Sequence, residues 1–145
     1  MKQVVDKWRK AIRKANTITI FKRVIVENQE EILDFNVAQL RKGKDSFGNF
    51  LYDYVSDDYA RFKQSIGSQA PFGKPDLILE GDFTEGFVLK YGNGGEFNIT
   101  STDDKTADLV AKYGNDIFGL ANESLNEIRP YLLESFIKLF RNELL

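Results

Sequence analysis

Phe87-Val88-Leu89-Lys90-Tyr91-Gly92-Asn93-Gly94-Gly95-Glu96-Phe97-Asn98-Ile99-Thr100 is the stretch that decides the fold of this chain. Phe87, Leu89 and Tyr91 alternate with Val88 and Lys90, and Phe97 and Ile99 alternate with Asn98 and Thr100. Period-two spacing puts each set on one face of a strand. Gly92-Asn93-Gly94-Gly95 supplies the φ > 0 residues that a tight connection needs. The pattern predicts an antiparallel hairpin over 87–91 and 96–101. Most of the rest of the chain carries helical spacing or turn formers. The expected class is therefore α+β, a small antiparallel hairpin sheet packed against N-terminal and C-terminal helices.

Upstream, Val4, Val5, Trp8, Ala11, Ile12 and Ala15 recur at helical spacing among Lys and Arg, predicting a helix over 2–15. A second helical pattern runs from about Thr19 to Leu40, with Phe21, Val24, Ile25, Asn28, Ile32 and Phe35 on one stripe. The β-branched run Thr17–Ile20 fits a short strand or an unbroken helix, and helix is the favoured reading. Gly43 supplies a stop, with Arg41 and Lys42 at the favourable C-terminal end. Residues 43–55 read as loop. Ser56 is a candidate N-cap, with Asp57 and Asp58 in the first turn, for a short helix carrying Tyr59, Phe62 and Ile66 and ending at Gly67. A loop over 67–76 holds Pro71 and Pro75.

Leu77–Phe83 begins apolar and reaches a glycine. Beyond the hairpin, Thr102-Asp103-Asp104 is expected to open a helix carrying Ala107, Leu109, Val110 and Tyr113, closed by Gly114. Ile117-Phe118-Gly119-Leu120 is a short apolar connector. Ser124 and Glu127 form a capping-box pair for a last helix with Leu125, Ile128, Leu132, Phe136, Leu139 and Phe140 on its stripe. Pro130 is expected to kink that helix or shift its start to about 129. The expected order is α-α-α-β-β-α-α, one domain over 1–145 with residues 2–15 as a peripheral arm.

The chain has 145 residues, 42% of them apolar, including 12 Phe and 6 Tyr. That is enough to bury a core without staples. It has no Cys and no His. A disulfide framework, a thiolate nucleophile and any Ser-His-Asp or Cys-His mechanism are thereby excluded. Neither a membrane span nor a secretory h-region is present, so no membrane is expected.

The net charge of −2 is unevenly placed. Residues 1–23 carry Lys2, Lys7, Arg9, Lys10, Arg13, Lys14, Lys22 and Arg23 against Asp6 alone. Such an end suits DNA phosphates or an acidic protein partner, and it also suits the solvated face of an amphipathic helix. Lys7, Arg9, Lys10 and Arg13 are the candidate contacts.

The remaining constellations weigh against chemistry. The Gly92–Gly95 run precedes a strand pattern, whereas a dinucleotide loop opens a helix. Asp45, Asn49 and Asp53 have calcium-loop spacing, but Phe47 and Leu51 occupy ligand positions and Ser56 replaces the closing Glu. Asp57/Asp58 and Asp103/Asp104 fit helix starts, and Glu80 with Asp82 is an isolated carboxylate pair. The aromatics Phe47, Phe50, Tyr52, Tyr54, Tyr59 and Phe62 crowd one stretch beside Lys44, Arg61 and Lys63. They suit a core flap or a protein contact better than base stacking. Phe47, Phe50, Tyr52 and Tyr54 are the candidate interface aromatics.

The order of motifs resembles the virion-morphogenesis and tail-completion (head–tail joining) proteins of tailed phages, of the type found in phages and prophages of Bacteroidetes. The resemblance is carried by Leu77-Ile78-Leu79-Glu80-Gly81-Asp82-Phe83, Phe97-Asn98-Ile99, Lys112-Tyr113-Gly114, Ile117-Phe118-Gly119-Leu120 and Glu123-Ser124-Leu125. Upstream, Gln39-Leu40, Gly43, Asp45, Gly48, Tyr52, Tyr59, Ala60 and Lys63 join it, so that it covers most of 37–140. Gly114-Asn115-Asp116-Ile117 replaces the usual Pro-Ala-Arg-Pro, and Glu80 the usual Thr. The resemblance implies a non-enzymatic structural protein, without cofactor, assembled in the host cytoplasm into the virion as a ring at the neck or tail end. Its partners would be other copies of itself, connector or tail-tube subunits, and packaged DNA. The alternative is a small phage regulatory or nucleic-acid-binding protein acting through the basic N-terminal helix.

Overall fold

The structure is a computed structural model describing residues 2–78, 81–92 and 96–144. Strands β1 (Phe87–Tyr91) and β2 (Phe97–Ser101) pair antiparallel, Phe87 opposite Ser101 and Tyr91 opposite Phe97. The Gly92 amide donates to the Glu96 carbonyl at 2.8 Å. The expected turn residues Asn93, Gly94 and Gly95 lie outside the described residues. Phe87 and Ile99 are buried, with Leu89 and Phe97 packed beside them. The alternation therefore does face the core.

Helix α1 spans Lys2–Glu27 and runs unbroken through Thr17–Ile20. β-branched residues cost a helix only a few tenths of a kcal/mol each, and the burial of Ile20 opposes that cost. The interruption falls instead at Asn28 (φ −109°, ψ 18°), after which α2 runs Gln29–Arg41. The Asn28 amide nitrogen donates to the Val24 carbonyl at 2.8 Å and to Ser135 Oγ at 3.0 Å. A side chain that bonds back to the preceding turn competes with the helix ladder. Helix α2 ends as Gly43 predicts: the Gly43 amide donates to Leu40 O and the Lys44 amide to Gln39 O, a Schellman pair. Gly43 has φ +80°, and a Cβ there would stand 3.1 Å from the Ala70 Cβ and 3.2 Å from the Pro75 carbonyl.

Helix α3 is Asp57–Ser65, and Ser56 Oγ accepts from the Tyr59 amide at 3.3 Å. Helix α4, Asp82–Glu85, stands where the sequence announced no helix, and it buries Phe83. Helix α5 is Thr106–Tyr113 and starts later than Thr102. Asp103 closes a turn of its own first, its carboxylate accepting from the Lys105 amide at 3.1 Å. A 3₁₀ turn follows at Asn115–Ile117. Helix α6 is Asn122–Leu144. It begins before Ser124 and passes through Pro130, which neither ends it nor sets its start. The expected capping box does not form, because Ser124 Oγ donates to Gln39 Oε1 at 3.2 Å instead.

The main core gathers Ile25, Ile32, Leu40, Leu51, Phe83, Phe87, Ile99, Ile117 and Ile128. Phe83, Phe87 and Phe118 meet ring to ring at 5.1–5.9 Å, a range suited to edge and tilted contacts. A second cluster, Ile20, Val24 and Leu139, joins α1 to α6. The hairpin packs on α2 through β1 and on α4 through β2. Among the described residues, no helix is long and apolar enough to cross a membrane.

Candidate functional site

Two surfaces and one cleft carry the chemistry-bearing residues. The first surface is the start of α1. Asn28 meets Ser135, and Val24 clusters with Leu139, so α1 and α6 run antiparallel. That register brings residue 19 beside residue 144, where α6 ends. The preceding part of α1 therefore projects as an arm roughly 25 Å long at 1.5 Å per residue. On it Lys7, Arg9, Lys10 and Arg13 are all exposed. So are Val4, Val5 and Trp8, the last at 67%. The side chains of Ala11, Ile12 and Ala15, expected on the same stripe, lie outside the described residues.

The second surface is the aromatic loop between α2 and α3. Asp45 Oδ1 accepts from the Phe47 and Asn49 amides at 2.9 and 3.0 Å, and the Leu51 amide donates to Gly43 O at 2.9 Å. This is the turn chemistry expected of the segment. It buries Leu51 and leaves Phe47, Phe50 and Tyr52 exposed. Two ammonium groups stand near the Phe50 ring, Lys44 Nζ at 5.4 Å and Lys74 Nζ at 5.7 Å from its centroid. Both distances are within cation–π range. The core-flap reading of this stretch is not met, since Tyr59 and Phe62 on α3 are exposed as well. Tyr54 is half-buried and meets Tyr59 edge-on at 4.9 Å. Arm and aromatic loop are separated by at least the length of α2, about 20 Å, and do not form one site.

Helix α3 is turned from its expected orientation by Lys63. Lys63 is buried, with its Nζ 2.6 Å from Asp76 Oδ1 and bonded also to the Ile78 carbonyl. Asp76 also accepts from Ser68 Oγ and the Ile78 amide, both at 3.0 Å. Lys63 is thus no partner for stacked bases. A buried ion pair with its remaining bonds satisfied is tolerated, whereas a lone buried charge is not. Nothing in the pattern of residues 57–66 marked Lys63 as buried, because its partner arrives from a distant loop.

Above that pair opens a cleft of about 470 Å³. Tyr54, Tyr59, Leu77, Phe83 and Tyr113 wall it, and Lys105 and Lys112 are among its lining residues. Burial, and after it the Asp76 carboxylate, holds the Tyr54 hydroxyl well above the ordinary tyrosine range, so it remains a donor at physiological pH. Glu80, half of the carboxylate pair Glu80/Asp82, lies outside the described residues. Among the described residues, no group of three or more His, Cys, Asp or Glu side chains is placed to hold a metal ion. Set against protein-family models, curated proteins and solved structures, the chain matches none of them.

Proposed function

We propose that this chain is a non-enzymatic structural protein of a tailed-phage virion, assembling as a ring at the head–tail junction or tail end. The observation that carries the reading is the motif order from Leu77 to Leu120. It is supported by the large apolar side chains left open at two separated places, Val4, Val5 and Trp8 on the arm and Phe47, Phe50 and Tyr52 on the loop. Contiguous exposed apolar surface marks contact with other proteins, and a subunit with two neighbours needs two such places. Neighbouring connector or tail-tube subunits would complete the contacts. The test is a phage deleted for this gene, viewed by electron microscopy. Unjoined heads and tails are expected, and normal virions lacking the protein would overturn the reading.

The exposed cations of the arm favour a second reading, a small nucleic-acid-binding phage protein. Phosphate contacts lose affinity steeply with salt. Tight DNA binding that falls in this manner, and weakens when Lys7, Arg9, Lys10 and Arg13 become Gln, is the outcome that would favour it over the first.

A further inference from the structure

We infer that the N-terminal arm of one copy docks on the acidic α2/α6 face of a second copy, with Trp8 entering the groove between those helices. The contact is the subunit interface that the ring reading needs and rests on that reading for its role.

Charge is segregated along the chain. Eight basic residues and one acidic residue in 1–23 give +7; the whole chain carries −2, so residues 24–145 carry −9. The arm is also amphipathic in an unusual direction. At 100° per residue, the stripe of Val4, Val5 and Trp8 is centred about 130° around α1 from Ile20 and Val24, which cluster with Leu139 of α6. The arm's apolar stripe therefore faces away from the side that α6 covers. Lys7 and Arg9 stand about 100° to either side of Trp8 and flank the stripe.

The receiving face is built by α2 and α6. Asn28 bonds Ser135 and Gln39 bonds Ser124, so the two helices run antiparallel side by side. Between them lies a groove of about 220 Å³ lined by Phe35, Ala38, Phe47, Glu123 and Glu127, with Lys42 and Lys44 also lining it. Glu31 precedes Phe35 by one turn and Asp34 precedes Ala38 by one turn. On α6, Glu127, Tyr131 and Glu134 follow at helical spacing. Apolar side chains among five exposed carboxylates, Glu31, Asp34, Glu123, Glu127 and Glu134, set against two lysines, complement an apolar stripe flanked by cations. Neither the cleft beside Lys105 and Lys112 nor that of about 380 Å³ beside Phe118 and Leu125 gathers exposed carboxylates in this way. The arm's own groove is out of reach, because arm and groove lie at opposite ends of α6. The contact is therefore intermolecular and head-to-tail, the type that closes into a ring or runs on into a filament.

Trp8 is the only tryptophan, so its emission reports the contact. Raising the full-length protein from low to high micromolar concentration should blue-shift the emission and at least double the mass measured by light scattering. Both changes should reverse in high salt. The triple variant Lys7→Glu, Arg9→Glu, Arg13→Glu should remain monomeric, as should the triple variant Glu123→Lys, Glu127→Lys, Glu134→Lys. Circular dichroism checks that each is folded. An equimolar mixture of the two should recover both the blue shift and the larger mass. Association that persists in the folded arm variant would overturn the contact and leave a ring built on another face. A wild-type chain that stays monomeric, with Trp8 shifting only when DNA is added, would overturn the contact in favour of the nucleic-acid reading. A mixture that fails to associate when wild type does would overturn it as well.

Discussion

Asn36 and Gln39 pair with the 117–121 connector much as a neighbouring strand would. Asn36 is fully buried; its amide nitrogen donates to Ile117 O at 3.1 Å and its Oδ1 accepts from the Gly119 amide at 2.9 Å. Gln39 does the same for Gly119 O at 3.1 Å and the Ala121 amide at 2.8 Å. Gly119 has φ +116°, and a Cβ there would press to 3.1 Å against the Ser46 Cβ. Asn36→Ala strands the Ile117 carbonyl and the part-buried Gly119 amide, so a loss of about 2–6 kcal/mol in urea unfolding is expected at roughly 1–3 kcal/mol per unsatisfied group. Lys63→Met should cost about 3–5 kcal/mol by leaving Asp76 charged and unpaired. The double variant with Asp76→Leu should lose less than the two single losses added together, as a double-mutant cycle will read. Tyr54 adds a pH effect. Its folded pKa is raised by burial first, so as pH rises past about 10 the unfolded chain ionises before the folded one. The contribution is complete below that pH and is lost above it. Relative to Tyr54→Phe, the wild type should weaken between about pH 10 and 11.

At the scale of elements, local chemistry was legible and partners were not. The hairpin, the Ser56 cap and the Gly43 stop follow from turn residues and period-two alternation, which act within a few residues. The misplaced starts of α5 and α6 have different causes, one local and one distant. Asp103 turns on its own backbone, and Ser124 is drawn off its capping role by Gln39, 85 residues away. Helix α4 depends on Phe83 finding Phe87 and Phe118. Pro130 sits within α6 without ending it, because the helix is held on both sides of the proline by Ile128 and Leu139 in the two cores. A helix-interior proline costs roughly 3 kcal/mol relative to alanine. Pro130→Ala should therefore raise the melting temperature, and an unchanged or lower value would mean that the proline's fit offsets that cost.

At the scale of the whole molecule, stability and assembly are set by different ends of α1. Ile20 is buried against α6 and Trp8 is open. Ile20→Ala should cost about 2–4 kcal/mol. Trp8→Ala should change the unfolding free energy of dilute monomer by less than about 0.5 kcal/mol, yet diminish any concentration-dependent association. A large loss from Trp8→Ala in dilute protein would mean that the arm folds onto its own body.

The amino-acid sequence by itself determined the α+β class, the place of the hairpin in the chain and the segregation of charge. It also excluded cysteine and histidine chemistry. Each of these depends on residue identity or on neighbours a few positions apart. Only the tertiary structure decided that Lys63 is buried while Tyr59, Phe62 and Ile66 are not. Only it showed that Asn36 and Gln39 bind the connector, and that the stripe of the arm faces away from α6. Those outcomes depend on which distant segment arrives at a surface, and helical spacing shows that a stripe exists without saying what will cover it.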